Sequence, residues 1–142
     1  MKTNRTAAVA VTETMKARLV ATHGGALELN VTLGYDSRDP FAVSAVMETS
    51  SLRITWVFAR ELLDGGLLEP TGDGDVHVWP CLDHHGHSIL ALELCSDDGD
   101  ALLELPTQKV AGFVDNTLAA VPAGTEADHL DVDALLESIF GA

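Results

Sequence analysis

The chain has 142 residues, 46% of them hydrophobic and 21% charged, and its formal net charge is −14. This length and composition are typical of one globular domain, and no apolar run reaches the eighteen or so residues of a membrane span. Up to Arg60 there are seven Lys and Arg against five acids, and beyond it there is one, Lys109, against seventeen. The acidic second half disfavours nucleic acids and anionic membranes as partners, because both are bound mainly through basic side chains.

The two cysteines, Cys81 and Cys95, are too few for a disulfide framework, although a single bridge between them is not excluded. The first residues include an apolar run of only five and no cleavage site typical of a secretory leader. We therefore expect the protein to be cytoplasmic.

The first half of the chain is predicted to form four strands and a helix. In ALELNVTLGYD, residues 26–36, apolar side chains fall on odd positions, which is the period-two pattern of a half-buried strand. Further strands are predicted in MKARLVAT before it and in FAVSAVMET and LRITW after it. The helix is predicted in VFARELLDGG, where one face carries Phe58, Ala59, Leu62 and Leu63.

The second half repeats this order. Strands are predicted in LLEP, DVHVWP, SILALELC and ALLELP, with a tight turn at residues 71–75. Pro106 opens a helix whose apolar residues recur at helical spacing as far as Val121. Asp131 is predicted to begin a final amphipathic helix that carries Val132, Leu135, Leu136, Ile139 and Phe140.

This order predicts an α+β fold of two antiparallel four-stranded sheets, ββββα repeated twice, followed by a C-terminal helix. Residues 1–14 are assigned to an N-terminal extension that could be flexible, and residues 15–142 to a single domain. The apolar stripe of the final helix must be buried against its own domain or a neighbour, which favours a homo-oligomer.

The stretch EPTGDGDVHVWPCLDHHGH, residues 69–87, is rich enough in acids, histidines and cysteine to suggest a metal site. A calcium loop starting at Asp73 would need a bidentate Glu at its twelfth position, where His84 stands. Zinc sites usually draw on two separated pairs of ligands, whereas the competent ligands here are crowded into seven residues: Cys81, His84, His85 and His87. We predict a solvated loop with no metal or cofactor, and metal binding remains the alternative.

No sequence motif of a common enzyme class is present. The chain lacks a phosphate-binding glycine loop, a Gly-x-Ser-x-Gly elbow and a Cys-x-x-Cys pair. His77 is interpreted as a surface or strand residue rather than a catalytic base. We therefore predict no catalytic residues.

Four segments, LGYDSRDPFAV, WVFARELLDGGLLEPTGDGDVHVWP, ALLELP and AAVPAGTE, resemble the SsgA-like proteins, small sporulation and cell-division regulators of actinobacteria. The string Tyr35-Asp36-x-x-Asp39-Pro40-Phe41, followed later by WVFAR, is specific to that family. The resemblance covers residues 15–140 and is greatest to the SsgB type. The chain departs from the family in its N-terminal extension and in CLDHHGH.

The resemblance implies a non-enzymatic protein. SsgB-type members are understood to mark septum sites in sporulating cells by binding the tubulin-like GTPase FtsZ, with an SsgA-type paralogue helping to place them. The resemblance also implies a fold like the trimeric whirly single-strand nucleic-acid binders, hence a homotrimer at the division septum. Whirly-like binding of single-stranded nucleic acid is the alternative function, although the acidic second half lacks the basic surface that it requires.

A partner surface is predicted in the near-neutral first half, because FtsZ is itself expected to be acidic. Lys16 and Arg18 share one strand face, and with Arg53 they are the candidate partner-binding residues; the alternative is that all three lie on a solvated sheet. Trp56 and Phe58 are expected in the core, and Asp36 and Asp39 in a turn. Arg60 is either a surface contact or a partner of Glu61 or Asp64.

Overall fold

The computed structural model describes residues 8–21, 25–130 and 132–141. In these ranges the strands are β1 (Ala10–Ala21), β2 (Ala26–Asp36), β3 (Ala42–Glu48), β4 (Arg53–Ala59), β5 (Thr71–Asp73), β6 (Val76–Leu82), β7 (Ser88–Ser96) and β8 (Gly99–Pro106). The helices are α1 (Arg60–Gly66), α2 (Thr107–Ala120), α3 (Glu126–His129) and α4 (Val132–Leu136), followed by a π-helical segment, Glu137–Gly141. The predicted order, ββββα twice and then a helical tail, is confirmed.

All eight strands belong to one antiparallel sheet, in the order β4-β3-β2-β1-β8-β7-β6-β5. The prediction of two separate four-stranded sheets is therefore wrong, because the two meanders are joined edge to edge where Arg18 to Ala21 pair with Ala101 to Glu104. An unpaired strand edge exposes a row of backbone donors and acceptors. At the junction, the backbone donors and acceptors of β1 pair with those of β8, so the two meanders form one continuous sheet.

The period-two pattern in β2 is confirmed by burial. Val31 and Leu33 at odd positions are fully buried, whereas Asn30 and Glu28 at even positions are exposed. The core side chains of the other long strands share this inner face, and α1 and α2 pack on it through Leu63, Val110 and Phe113. Ile89 and Ala91 of β7 are buried on the opposite face. The core therefore lies between the inner face of the sheet and the two helices.

The two long helical predictions differ in accuracy. α2 begins just after Pro106, which has the extended backbone of a cap residue, and its buried side chains recur as predicted at Val110, Phe113, Val114 and Thr117. α1 begins at Arg60, so Phe58 and Ala59 belong to β4 rather than to a helix face. Successive side chains of a strand point to opposite faces of the sheet, which places Phe58 in the core while Val57 is exposed.

The segment LLEP is not a strand, because it follows α1 as a turn in which the backbone N–H groups of Leu68 and Glu69 both bond to the Gly65 carbonyl. The short strand β5 lies instead within the predicted turn at residues 71–75. The turn itself is shorter than predicted and consists of Gly74 and Asp75, where Gly74 has a φ of 61° that suits glycine.

The two ends of the chain meet the domain in different ways. β1 begins at Ala10, so residues 10–14 of the proposed N-terminal extension pair with residues 32–36 of β2. Asp131, the predicted start of the final helix, lies outside the described residues. The apolar side chains described in the C-terminal helical tail are exposed rather than packed on the domain: Val132, Leu136, Ile139 and Phe140. Over the described ranges, no helix is long and apolar enough to cross a membrane.

Candidate partner-binding face

On strands β1 and β2, the face of the sheet opposite the helices carries mostly polar side chains, and on β4 it also carries the exposed Val57. Even-numbered side chains of β1 and β2 point there, and Thr14 and Thr32 hydrogen bond to each other across the strand pair at 2.9 Å. We call this surface of strands β1 to β4 the outer face. Both Lys16 and Arg18 lie on it, as the sequence predicted from their period-two spacing.

The strand registers bring Arg53 onto the same face. Residues in register occupy one transverse row across the four strands: Lys16, Asn30, Glu48 and Arg53. Three strand spacings of about 4.8 Å put Lys16 and Arg53 roughly 14 Å apart in this row. The three predicted site residues are therefore brought to one surface, with two polar side chains between the outer cations.

Arg18 lies at the junction of the two meanders. Its guanidinium is 3.3 Å from Glu104 Oε1 on β8, and Glu28 stands opposite it on β2. The Arg18 side chain is 42% exposed, and an ion pair of this kind contributes little because water screens it. Arg18 is therefore able to exchange Glu104 for an acidic group of another protein at a small cost in free energy.

A groove runs along the outer face beside the β3–β4 turn. It has a volume of ≈ 930 Å³, and its walls include Lys16, Asn30 and Glu48. The turn that closes one end is held by Thr49, whose Oγ1 accepts a hydrogen bond from the backbone N–H of Leu52 at 3.1 Å. The groove is open, and its surface is about half polar and half apolar, which suits a protein surface better than a small apolar ligand.

The histidine loop between β6 and β7 lies next to Lys16 and Arg18, and its side chains line a second groove with them. Asp83 Oδ1 accepts hydrogen bonds from the backbone N–H groups of His85 and His87, both at 2.8 Å. Both bonds lower the pKa of the Asp83 carboxyl, and the bond from His87 has the larger effect. The sequence predicted a solvated loop but contains no local pattern that would place it beside β1.

A buried charged cluster connects the family-like segments. Arg60 is only 3% exposed, and its guanidinium donates to the carbonyls of Thr117 at 3.1 Å and Val121 at 2.7 Å and to Glu126 Oε2 at 2.9 Å. It also lies 5.0 Å from the centroid of the Tyr35 ring. Arg60 is therefore neither a surface contact nor a partner of Glu61 or Asp64, and it closes the C-terminal end of α2, where carbonyl groups favour a cation.

The turn after β2 supports this cluster. The Tyr35 hydroxyl donates to the Pro40 carbonyl at 2.9 Å, and burial raises the pKa of the Tyr35 phenol. Asp36 accepts hydrogen bonds from the side chain and backbone of Arg38, which lower the Asp36 pKa. The backbone N–H of Asp39 bonds to the Asp36 carbonyl at 2.9 Å, which confirms the predicted turn.

Fold and surface together define an α+β protein built on one long antiparallel sheet, with helices on one side and an open polar face on the other. The family model of the Streptomyces sporulation and cell division protein SsgA matches residues 29–126. The chain belongs to this family, as the motifs in the sequence indicated.

Relatives named sporulation-specific cell division protein SsgB occur in several actinobacteria. The Streptomyces coelicolor protein is 45% identical over 87% of this chain and 90% of its own length. The Frankia casuarinae protein is 40% identical over 89% of this chain and 88% of its own length. The family and these relatives support a role in cell division.

Two solved structures share the fold. One, described with SsgB mutations that correlate to longitudinal cell division during sporulation of Streptomyces coelicolor, superposes with a TM-score of 0.80 at 41% identity and covers 87% of this chain and 97% of its own. The SsgA-like sporulation-specific cell division protein from Thermobifida fusca superposes with a TM-score of 0.81 at 30% identity and covers 99% of this chain and 100% of its own.

Proposed function

We propose that the protein is a non-enzymatic regulator that binds FtsZ and recruits it to septum sites during sporulation-specific division, with an SsgA-type paralogue helping to place it. Membership of the SsgA family and the names of the SsgB relatives support this proposal. In a host that does not sporulate, the same binding would serve ordinary division.

The observation that carries the proposal is the outer face of the first meander. Lys16, Arg18 and Arg53 are brought together there from two strands, on a surface that α1 and α2 leave open. FtsZ is expected to be acidic, so a contact through the acidic second half would cost repulsion, whereas this near-neutral face avoids it.

Several copies of the protein would strengthen a weak contact. We propose a homotrimer, which presents identical outer faces to one filament and raises their effective concentration after the first contact. β4 and β5 are the two edge strands of the sheet. At the β4 edge, the side chains of Leu52, Ile54 and Val57 are exposed. Exposed apolar edges of this kind support self-association.

Co-sedimentation with FtsZ polymers from the same organism tests the proposal. Lys16→Glu and Arg53→Glu should each weaken co-sedimentation several-fold, because each reverses a charge in the contact row. Arg38→Glu is the matched control, since it makes the same charge change at the β2–β3 turn with a side chain that is 63% exposed. Unchanged binding in the first two variants, or an equal loss in the control, would reject this face.

Two further measurements separate the parts of the proposal. The mass in solution should be three times that of one chain, and a monomer would contradict the multivalent mechanism but leave the FtsZ contact to be judged by co-sedimentation. A gel shift with single-stranded DNA and RNA at low salt should show no retention. Salt-sensitive retention would favour the whirly-like nucleic-acid alternative.

A further inference from the structure

Three potential metal ligands meet on the second meander. His77 on β6 and Glu93 on β7 are opposite each other in register, and Nδ1 of His77 lies 3.3 Å from Oε1 of Glu93. Cys95 follows two residues along β7, so its side chain points to the same side of the sheet. One ligand atom from each of the three residues lies within 4.8 Å of the other two.

The His77 ring lies over Gly72 of β5. Gly72 is opposite His77 in register, and a Cβ added at Gly72 would collide with Cδ2 of His77 and lie 3.0 Å from its Nε2. The ring therefore occupies the space that any other residue at position 72 would fill. Its Nε2 edge is turned to β5, which leaves Nδ1 on the side of Glu93.

The surroundings of the Cys95 thiol are negatively charged. Asp100 is opposite Cys95 on β8, and the Cys95 backbone N–H donates to the Asp75 carbonyl at 2.8 Å. A bound cation would offset the negative charges of Asp100 and Glu93, which lie beside the thiol.

We propose that His77, Glu93 and Cys95 form a binding site for a divalent cation of the zinc class. Imidazole, carboxylate and thiolate are the three ligand types that Zn²⁺ accepts, and three protein ligands leave one tetrahedral position for water. In a tetrahedral site the ligand atoms are about 3.3–3.7 Å apart, so the group needs to contract by roughly 1 Å. The ligands are half-buried or exposed, and side-chain rotations at a surface supply such a movement.

The site is independent of the proposed FtsZ contact and of the histidine loop. The prediction that the chain holds no metal rested on Cys81, His84, His85 and His87, and the group at β6 and β7 includes none of them. A cation here would bridge two strands next to the β5 edge and reduce the negative charge of the second half.

Titration of tag-free, reduced and chelator-treated protein with ZnCl₂ tests the proposal, and CoCl₂ provides a second probe because a thiolate ligand produces a charge-transfer band in the near ultraviolet. We expect one Zn²⁺ per chain and a cobalt–thiolate band. Cys95→Ser should abolish the band, and Cys95→Ser and His77→Asn should each weaken Zn²⁺ binding about tenfold or more.

The other free cysteine and the histidine loop supply matched controls. Cys81→Ser should keep both the band and the affinity, and so should the combined change of His84, His85 and His87 to Asn. Circular dichroism in chelator should be the same for all variants, which shows that each is folded. Binding that survives in Cys95→Ser and His77→Asn, or that is lost with the loop histidines, would show that the β6–β7 group is only a cross-strand ion pair beside a thiol.

Discussion

The guanidinium of Arg60 lies 2.9 Å from the carboxylate of Glu126, a residue 66 positions further along the chain. This pair joins two of the segments that carry the family resemblance, WVFAR and AAVPAGTE. A third segment contributes Tyr35, whose ring lies under the guanidinium. Three of the four family-like segments therefore meet at one buried cluster at the end of α2, away from the proposed outer face.

Arg60→Met is expected to lower the free energy of unfolding by about 2–4 kcal/mol, because it removes the donor to the buried Val121 carbonyl and the cation beside Glu126. Urea denaturation measures the change. Arg38→Met removes an exposed cation instead and should cost within about 0.5 kcal/mol. Equal effects in the two variants would contradict a structural role for the buried cluster.

The Arg60–Glu126 pair should also make stability depend on pH. A hydrogen bond from its own backbone N–H, followed by the bond from Arg60, lowers the pKa of Glu126 in the folded state. A carboxyl with a depressed folded pKa adds stability above its unfolded pKa, near 4.5, and loses it as the pH falls through the folded value. Between pH 6 and about 3, wild type should therefore lose more stability than Glu126→Gln; parallel curves would contradict this.

Two glycines should respond in opposite directions to alanine. A Cβ at Gly66, which is buried at the end of α1, would lie 2.6 Å from Cβ of Val78, so Gly66→Ala should cost about 1–3 kcal/mol. A Cβ at Gly112 in α2 meets nothing within 4 Å, and Gly112→Ala should stabilise the protein by about 0.5–1 kcal/mol because it restricts the unfolded chain. Thermal unfolding of both variants checks the packing of α1 on β6.

Variants of the Arg18–Glu104 ion pair separate an effect on stability from an effect on partner binding. Arg18→Glu places like charges opposite each other at the β1–β8 junction and should lower stability by up to about 1 kcal/mol. Adding Glu104→Arg restores an opposite-charge pair across the junction and should recover part of that stability, because Glu28 on β2 still faces the new carboxylate. FtsZ co-sedimentation should stay weak in the double variant, since the cation has moved to another strand; full recovery would show that Arg18 acts only through the junction.

Several elements could be predicted from local sequence because their patterns repeat within a few residues. The alternation in β2 identifies its buried side, and the spacing of Val110, Phe113 and Val114 identifies the buried stripe of α2. The segment LLEP was misassigned since four residues contain too little periodicity to separate a strand from a turn. The true strand, β5, is defined by its hydrogen bonds to β6 rather than by its own residues.

For the candidate sites, the sequence named Arg53 with Lys16 and Arg18, but its period-two pattern relates only residues on the same strand. Period two placed Lys16 with Arg18, and the same spacing relates Glu93 to Cys95. The alignment of Arg53 with Lys16 depends on three successive registers, and that of His77 with Glu93 on one hairpin. A register is set by turns and by packing on both sides of a strand, which a local pattern does not contain.

By itself, the sequence determined the family, the order of strands and helices, and which side of each long element is apolar, because side-chain direction follows from the backbone within a few residues. Only the tertiary structure decided that two meanders form one sheet, that Arg60 pairs with Glu126, and that His77 and Cys95 approach each other. These contacts join residues far apart in the chain, and they form only when the whole core has brought the strands together.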